Sequence, residues 1–282
     1  MNILTFDIEE WFHILDNDST KTATEWQSYE SRIHTNMERI FKVLDDTGVK
    51  ATFFILGWIA EKHPDVVKKI VSNGYEIGTH TYAHQLIYEQ SYKTFSDDIE
   101  RSIKTLEDIS GKKVRCFRAP GFSIREDNRW AFDVLVKFGI SIDSSIFPAP
   151  RAHGGFPSYT YNAPAYIQYD GVRLKEFPIS YTNILGRPFA YSGGGYFRLS
   201  PYFCIKQWAK KASYLMTYFH PRDFDTGQPM IRELSLVRKF KSYIGISGAY
   251  NKLNMLLNDF EFIDIDGADK LINWEEAKIV SV

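Results

Sequence analysis

Two cysteines in 282 residues, Cys116 and Cys204, are too few for a disulfide framework and fit a reducing compartment. No charge of one sign prevails, since 34 Lys and Arg stand against 35 Asp and Glu. They are well mixed and form no basic stripe, which argues against nucleic acid as a partner. No window approaches ~18 uninterrupted apolar residues, so no transmembrane segment is predicted. The opening MNILTFDIEEWFH lacks a basic stretch followed by a long apolar run, so no signal peptide is read there and the chain is expected to be cytoplasmic. Fixed-period repeats and low-complexity tracts are also missing.

What is abundant is aromatic. Tyr (17) and Phe (21) lead a 16% aromatic share within 44% apolar residues, a globular composition that a carbohydrate-handling cleft would also use. Along the first half, strand-like and helix-like segments alternate. Strands are expected at 2–7, 50–56, 75–80, 114–120 and 140–145, and helices at 32–48, 63–74, 91–110 and 128–138. That alternation predicts a parallel sheet or a β/α barrel. Residues 146–198 lose helical periodicity and read as long loops with an inserted pair of short strands. A helix at 201–212, a strand at 214–220, a helix at 232–258 and a last strand at 260–265 complete the reading.

The chemistry sits where the strands end. Asp7 and Glu9 follow the first strand, His80 and His84 the third, Arg118 the fourth, Asp143 the fifth and His220 a later one. In β/α barrels those ends converge on one face, where active sites are built. His80 and His84, four apart, are expected on one side of a helical turn within reach of one cation. Two imidazoles plus one carboxylate leave a metal site open to water and substrate. Asp7 and Glu9, two apart in an extended segment, point the same way. Arg118 beside Asp7 would hold that carboxylate ionised, and His220 is a candidate general acid. His13, His34, His63 and His153 show no such placement.

The ordered set TFDIE, HTYAH, FRAPGF, IDSS and YFHP resembles the NodB-homology polysaccharide deacetylases, carbohydrate esterase family 4, over residues 1–225. FRAPGFSI, DSSIFP, GGGYFRLSPY and YFHPRDFD, with a C-terminal extension containing NKLNMLLNDFEF, resemble the branch associated with bacterial exopolysaccharide and O-antigen loci. The resemblance implies an α/β fold, a distorted (β/α) barrel of about seven units with long loop insertions and a C-terminal helical extension. Residues 1–225 would form the barrel and 226–282 an extension packed on it, the two making one structural domain.

The same resemblance implies a hydrolase that removes an N- or O-acetyl group from a sugar in surface polysaccharide biosynthesis. Attack is by a metal-bound water activated by Asp7. His80 and His84 match the metal-binding histidines, Arg118 the arginine that orients the base, Gly121 the oxyanion donor and His220 the group that protonates the leaving atom. The divalent metal is expected to be zinc. One departure is plain: the common first motif has adjacent aspartates, but Ile8 follows Asp7 here, so Glu9, or Glu10 in its place, completes the metal site. The tryptophan expected after Asp143 is also missing. Trp11, Phe122, Asp143 and Tyr196 are candidate substrate contacts, with Tyr159 and Tyr161 as further cleft walls. Expected partners are an acetylated sugar, an oligosaccharide or a lipid-linked glycan intermediate. Hydrolysis of a formyl group or cyclic imide, and non-catalytic carbohydrate binding, are the alternatives.

Overall fold

The computed structural model describes residues 1–15, 17–151 and 153–282. An eight-stranded sheet runs in the spatial order Ile279–Ser281, Ala165–Tyr169, Val172–Glu176, Ile142–Asp143, Cys116–Phe117, Glu76–Thr79, Thr52–Ile55, Thr5–Ile8. Every neighbouring pair is parallel except Ala165–Tyr169 with Val172–Glu176. Parallel strands require crossovers, and the helices Ile33–Thr47, Pro64–Ser72, Tyr92–Ser110 and Trp130–Lys137 supply them. These helices carry their apolar residues on one stripe and press it against the sheet. The strands they cover, such as TFDI and TFFI, are buried along their whole length.

Beyond Thr5–Ile8 the sheet continues into residues 215–219. The Asp7 N–H donates to the Phe219 carbonyl (2.7 Å), and the Phe219 N–H donates to that of Thr5 (3.2 Å). This stave meets the chain leaving Val172–Glu176 through side chains rather than a ladder. The Met216 N–H donates to Ser180 Oγ (2.8 Å), and the Tyr214 hydroxyl donates to the Pro178 carbonyl (2.9 Å). The result is a (β/α) barrel, as the motifs led one to expect, and the imperfect closure is what distorts it.

Three local expectations need correction. Within 146–198 there are two antiparallel hairpins, Ala165–Tyr169 with Val172–Glu176 and Thr182–Ile184 with Arg187–Phe189, and a helix at Gly194–Leu199. The first hairpin is no insertion, because Val172–Glu176 pairs with Ile142–Asp143 as part of the wall. Its Asp170–Gly171 turn, flanked by alternating residues, was a legible hairpin signal. The helix expected over 232–258 is two helices, Leu236–Tyr243 and Ile246–Asp259. Gly245 separates them at φ 72, where an added Cβ would stand 2.2 Å from the Arg198 carbonyl oxygen. Finally, 260–265 is not a strand but a single bridge, Ile263 to Ile3, because Asp264 caps the helix Ile265–Leu271 by accepting from the Gly267 N–H (2.8 Å).

The C-terminal residues return to the barrel. Ile279–Ser281 adds an edge strand beside Ala165–Tyr169, and the Ile265 N–H donates to Thr52 Oγ1 (2.9 Å). Asp225, with a fully buried side chain, is gripped by Arg32 Nε (2.5 Å) and Arg39 Nη1 (3.1 Å) from the start of the chain.

Candidate metal and catalytic site

Asp7 and Glu9 leave the end of the first strand on the same side, as the two-residue spacing predicts. Glu9 Oε1 lies 3.0 Å from His80 Nε2 and 3.0 Å from His84 Nε2, and all three residues are buried. The histidines are not on a helical turn. Thr81 and His84 adopt left-handed conformations (φ 69 and 53), and the loop is tied down from four sides. Asp98 accepts the N–H groups of Tyr82 (2.7 Å) and Ala83 (3.0 Å). Gly57 N–H and Ser102 Oγ both donate to the Thr81 carbonyl, and the Trp58 N–H donates to that of Tyr82. Conformations of this cost persist only where the surroundings over-determine them, and here they turn both imidazoles toward one point.

The donor set fits a cation. His80 Nδ1 donates to the Arg118 carbonyl (2.7 Å), which fixes the proton there and leaves Nε2 facing Glu9. With its proton on Nδ1, His80 can face that carboxylate oxygen through Nε2 only as a charged imidazolium or with a positive ion between them. Burial pushes the Glu9 pKa upward, but His84, His220 and His80 outweigh it and hold Glu9 ionised, well below the usual range. Glu9, His80 and His84 could therefore hold a metal ion. Glu10 is occupied elsewhere. It accepts from the backbone N–H of Arg32 (2.9 Å) and Ile33 (3.1 Å) and from the Ser31 hydroxyl, at the start of the helix Ile33–Thr47.

Beside this triad is a second pair. Arg118, fully buried on its strand end, donates from Nη1 to Asp7 Oδ1 (2.7 Å) and Thr5 Oγ1 (2.6 Å). From Nη2 it donates to Ser144 Oγ (2.9 Å), and from Nε to the Ser144 carbonyl (3.2 Å). Its plane lies 4.3 Å from the Phe54 ring centroid. A guanidinium so completely satisfied fixes the orientation of the carboxylate it holds.

His220 closes the third side, with Nε2 3.8 Å from Asp7 Oδ2 and 3.9 Å from Glu9 Oε1. Its Nδ1 donates to Asp223 Oδ2 (3.0 Å), and Asp223 Oδ1 pairs with Arg198 Nε (3.0 Å). Burial works against a charged His220, yet Glu9, Asp223 and Asp7 raise its pKa to about 9. Nothing in the sequence alone assigns a role to Asp223 or Arg198. Their signal was legible only in part, as an acid three residues after a strand-end histidine.

Gly121 sits at φ 60 in the turn Pro120–Phe122 that follows Arg118. An added Cβ would meet the movable tip of Leu15 (Cδ1 at 2.8 Å), so it is the positive φ that favours glycine here.

The candidate substrate contacts divide. Tyr196 is exposed and leans edge-on against Phe189 (4.8 Å). Trp11 is a correction: it is buried in the core and its indole N–H donates to the Glu30 carbonyl (2.9 Å), because the segment after Glu10 folds inward beneath Phe12 and Tyr29. Phe122 is nearly buried against Phe147 and Tyr218, and Tyr159 is buried as well. Asp143 is a second correction. It is wholly buried, accepts from Ser145 Oγ (2.5 Å) and lies opposite Glu176 in the strand register. Burial lifts Asp143 to about 6, and burial with Asp143 beside it drives Glu176 well above the carboxylate range, so the pair holds a proton at neutral pH. Through Ser145, which accepts the Ala119 N–H (2.8 Å), Asp143 braces the Arg118 loop rather than facing a ligand. His13, which the sequence does not mark, is also close. It is buried, 5.8 Å from the His84 ring and 4.2 Å from Trp26, and burial with His84 keeps its pKa well below the ordinary value.

Residues 15–139 match the family described as polysaccharide deacetylase, and residues 144–270 match a domain of unknown function (DUF3473). His80, His84, Arg118 and Gly121 lie in the first match and His220 in the second, while Asp7 and Glu9 precede both. The chain is 30% identical over 118 residues to a peptidoglycan-N-acetylglucosamine deacetylase of Bacillus cereus, covering 38% of this chain and 43% of that one. It therefore spans less than half the length of that relative. A solved structure of a candidate polysaccharide deacetylase from Mycobacterium smegmatis superposes with a TM-score of 0.66 at 19% identity, covering 99% of this chain and 92% of that one. A family 4 carbohydrate esterase from Streptomyces lividans, solved with acetate, gives 0.50 at 13% identity, covering 99% and 96%. Both likenesses concern the fold.

Proposed function

We propose that this chain, which belongs to the polysaccharide deacetylase family, carbohydrate esterase family 4, hydrolyses an N- or O-acetyl group on a sugar with a divalent metal ion. The observation that carries the reading is one face of the barrel on which Glu9, His80 and His84 meet the Asp7–Arg118 and His220–Asp223 pairs. Glu9, His80 and His84 would hold the ion. The mixed nitrogen and oxygen donor set favours zinc. When bound, the ion supplies Lewis-acid polarisation of the acetyl carbonyl and acidifies water.

The protein's own groups do the rest. Asp7, aimed by Arg118, takes the proton of the attacking water as its oxygen bonds to the acetyl carbon. The Gly121 N–H donates to the developing oxyanion. His220, held by Asp223, gives its Nε2 proton to the departing sugar nitrogen or oxygen as the acyl bond breaks, leaving acetate and a free amine or hydroxyl. We assign the pathway to bacterial surface polysaccharide assembly on the resemblance of FRAPGFSI, GGGYFRLSPY and YFHPRDFD. Residues 1–225 and 226–282 are taken as one structural unit, supported by the Ile3–Ile263 bridge and the C-terminal edge strand.

The test is acetate release from chitooligosaccharide and peptidoglycan fragments by zinc-loaded and chelator-stripped protein. Release that needs the metal, and that Asp7→Asn abolishes while metal content stays intact, supports the reading. Release of formate from N-formylated sugars, with no acetate from the acetylated ones, would redirect it to another amide. No release from any glycan, with no metal bound, would leave a carbohydrate-binding protein.

A further inference from the structure

The helix Leu236–Tyr243 is inverted for a surface that faces only water. Leu236, Val237 and Phe240 are 84%, 64% and 57% exposed, and no residue of the helix is buried. Tyr243, half-buried at its end, packs against the core, and the attachments through Arg238 and Arg198 are polar. Arg238 donates to the Leu15 carbonyl and to His153 Nε2 (3.1 Å). Arg198 donates to the carbonyls of Ser242 (2.8 Å), Ile244 (3.1 Å) and Lys241 (3.1 Å). A helix this short ordinarily holds its place by burying its apolar stripe. At helical spacing Leu236, Val237 and Phe240 share one side, Arg238 and Ser242 the other, and Lys239 and Lys241 fall on the two flanks.

Charge marks the same place. Besides the barrel-bound Arg238, residues 229–243 contain Arg232, Lys239 and Lys241 against the single acid Glu233, in a chain with 34 basic and 35 acidic residues overall. Exposed Met230 precedes the helix, and exposed Tyr196 and Leu199 on the adjoining helix Gly194–Leu199 add to the apolar surface.

We propose that this helix docks the protein onto an anionic membrane surface. Apolar side chains flanked on both sides by long cations suit a lipid interface, where the stems lie in the acyl boundary and the ammonium groups meet phosphates. The docked face belongs to the rim of the site. Arg198, which fastens the helix, also pairs with Asp223 beside His220, and Leu15, whose carbonyl takes Arg238, is the side chain nearest to Gly121. Docking therefore brings the site to the membrane, where glycans carried on lipid are the substrates it meets. This goes beyond the hydrolytic reading and does not depend on which bond is cut.

Flotation of the full chain with vesicles tests it. The protein is expected to float with vesicles containing phosphatidylglycerol, less so at high salt, and not with phosphatidylcholine alone. Replacing Leu236, Val237 and Phe240 together by Ser should weaken binding by about a thousandfold, at roughly tenfold per withdrawn side chain. Lys239→Glu with Lys241→Glu should weaken it with the apolar face intact. Turnover is not read in this assay, so failure of the hydrolytic reading leaves the result standing. Absence of binding to phosphatidylglycerol vesicles, or undiminished binding by the triple-Ser variant, would overturn the proposal. So would a wild-type dimer that the triple-Ser variant makes monomeric, since the face would then meet a second copy.

Discussion

Asp223→Asn is the sharpest probe of the proposed acid. Asp223 is buried and its two oxygens are fully committed, Oδ2 to the Nδ1 and backbone N–H of His220 (3.0 and 2.9 Å) and Oδ1 to Arg198. Asparagine keeps the shape and an acceptor for Nδ1–H but removes the charge. Burial alone would hold His220 below its ordinary value of 6.5; Glu9, Asp223 and Asp7 lift it to about 9. A cation held at Glu9 cancels that carboxylate's pull and lowers the value in the loaded protein, leaving Asp223 the larger share of what remains. Loss of that share should lower the His220 pKa by about one pH unit, ~1.4 kcal/mol. The assay is kcat/KM for acetate release against pH. The alkaline limb, where His220 loses its proton, should move down by about one pH unit, so the variant falls behind about tenfold above it and much less near pH 6. A limb that stays in place, with activity reduced equally at every pH, would mean that Asp223 only props the fold.

Three further outcomes follow from the same contacts. Glu9→Gln should weaken metal retention by more than the roughly 10–100-fold typical of outer partners, whereas Glu10→Gln should keep the metal and cost about 1 kcal/mol at the helix start; dialysis against chelator with elemental analysis separates them. Asp225 has its carboxyl held at about 2, burial opposing and Arg32 with the Gly227 N–H prevailing. Because the folded value is depressed, its stabilisation is present above pH 3.8 and lost as pH falls toward 2. Asp225→Asn should therefore cost roughly 1–2 kcal/mol in urea unfolding at pH 7, with the gap closing in acid; a gap constant with pH would refute the ion pair's role. Gly121→Ala should lower kcat more than it raises KM, through strain of about 1 kcal/mol at positive φ, and unchanged kcat would remove Gly121 from the oxyanion role.

Much of the barrel was legible because its signals are local. The stripe of Ile33–Thr47, its end at Gly48 and the apolar TFFI strand need only neighbouring residues to be read. The pair Asp7 and Glu9 was legible for the same reason, since side-chain alternation along a strand is fixed by backbone geometry. The hairpin at Ala165–Glu176 was under-read because its strands are short and half polar, and its burial comes from a partner, Ile142–Asp143, far away in sequence.

The chain by itself determined which residue types arrive at the strand ends, and in what order. Tertiary structure alone decided what they face. Glu10 and Glu9 are adjacent and chemically alike, yet one accepts the amides of a helix start and the other faces two imidazoles. Asp143 and Asp223 are both acids of the later motifs, yet one shares a proton in the interior and the other holds His220. Left-handed Thr81 and His84 exist only because Asp98, Ser102 and Gly57 converge on their loop. The physical reason is the same in each case. A side chain's identity fixes what it can donate or accept, but its protonation, orientation and partner depend on burial and on charges brought within a few ångströms by distant parts of the chain.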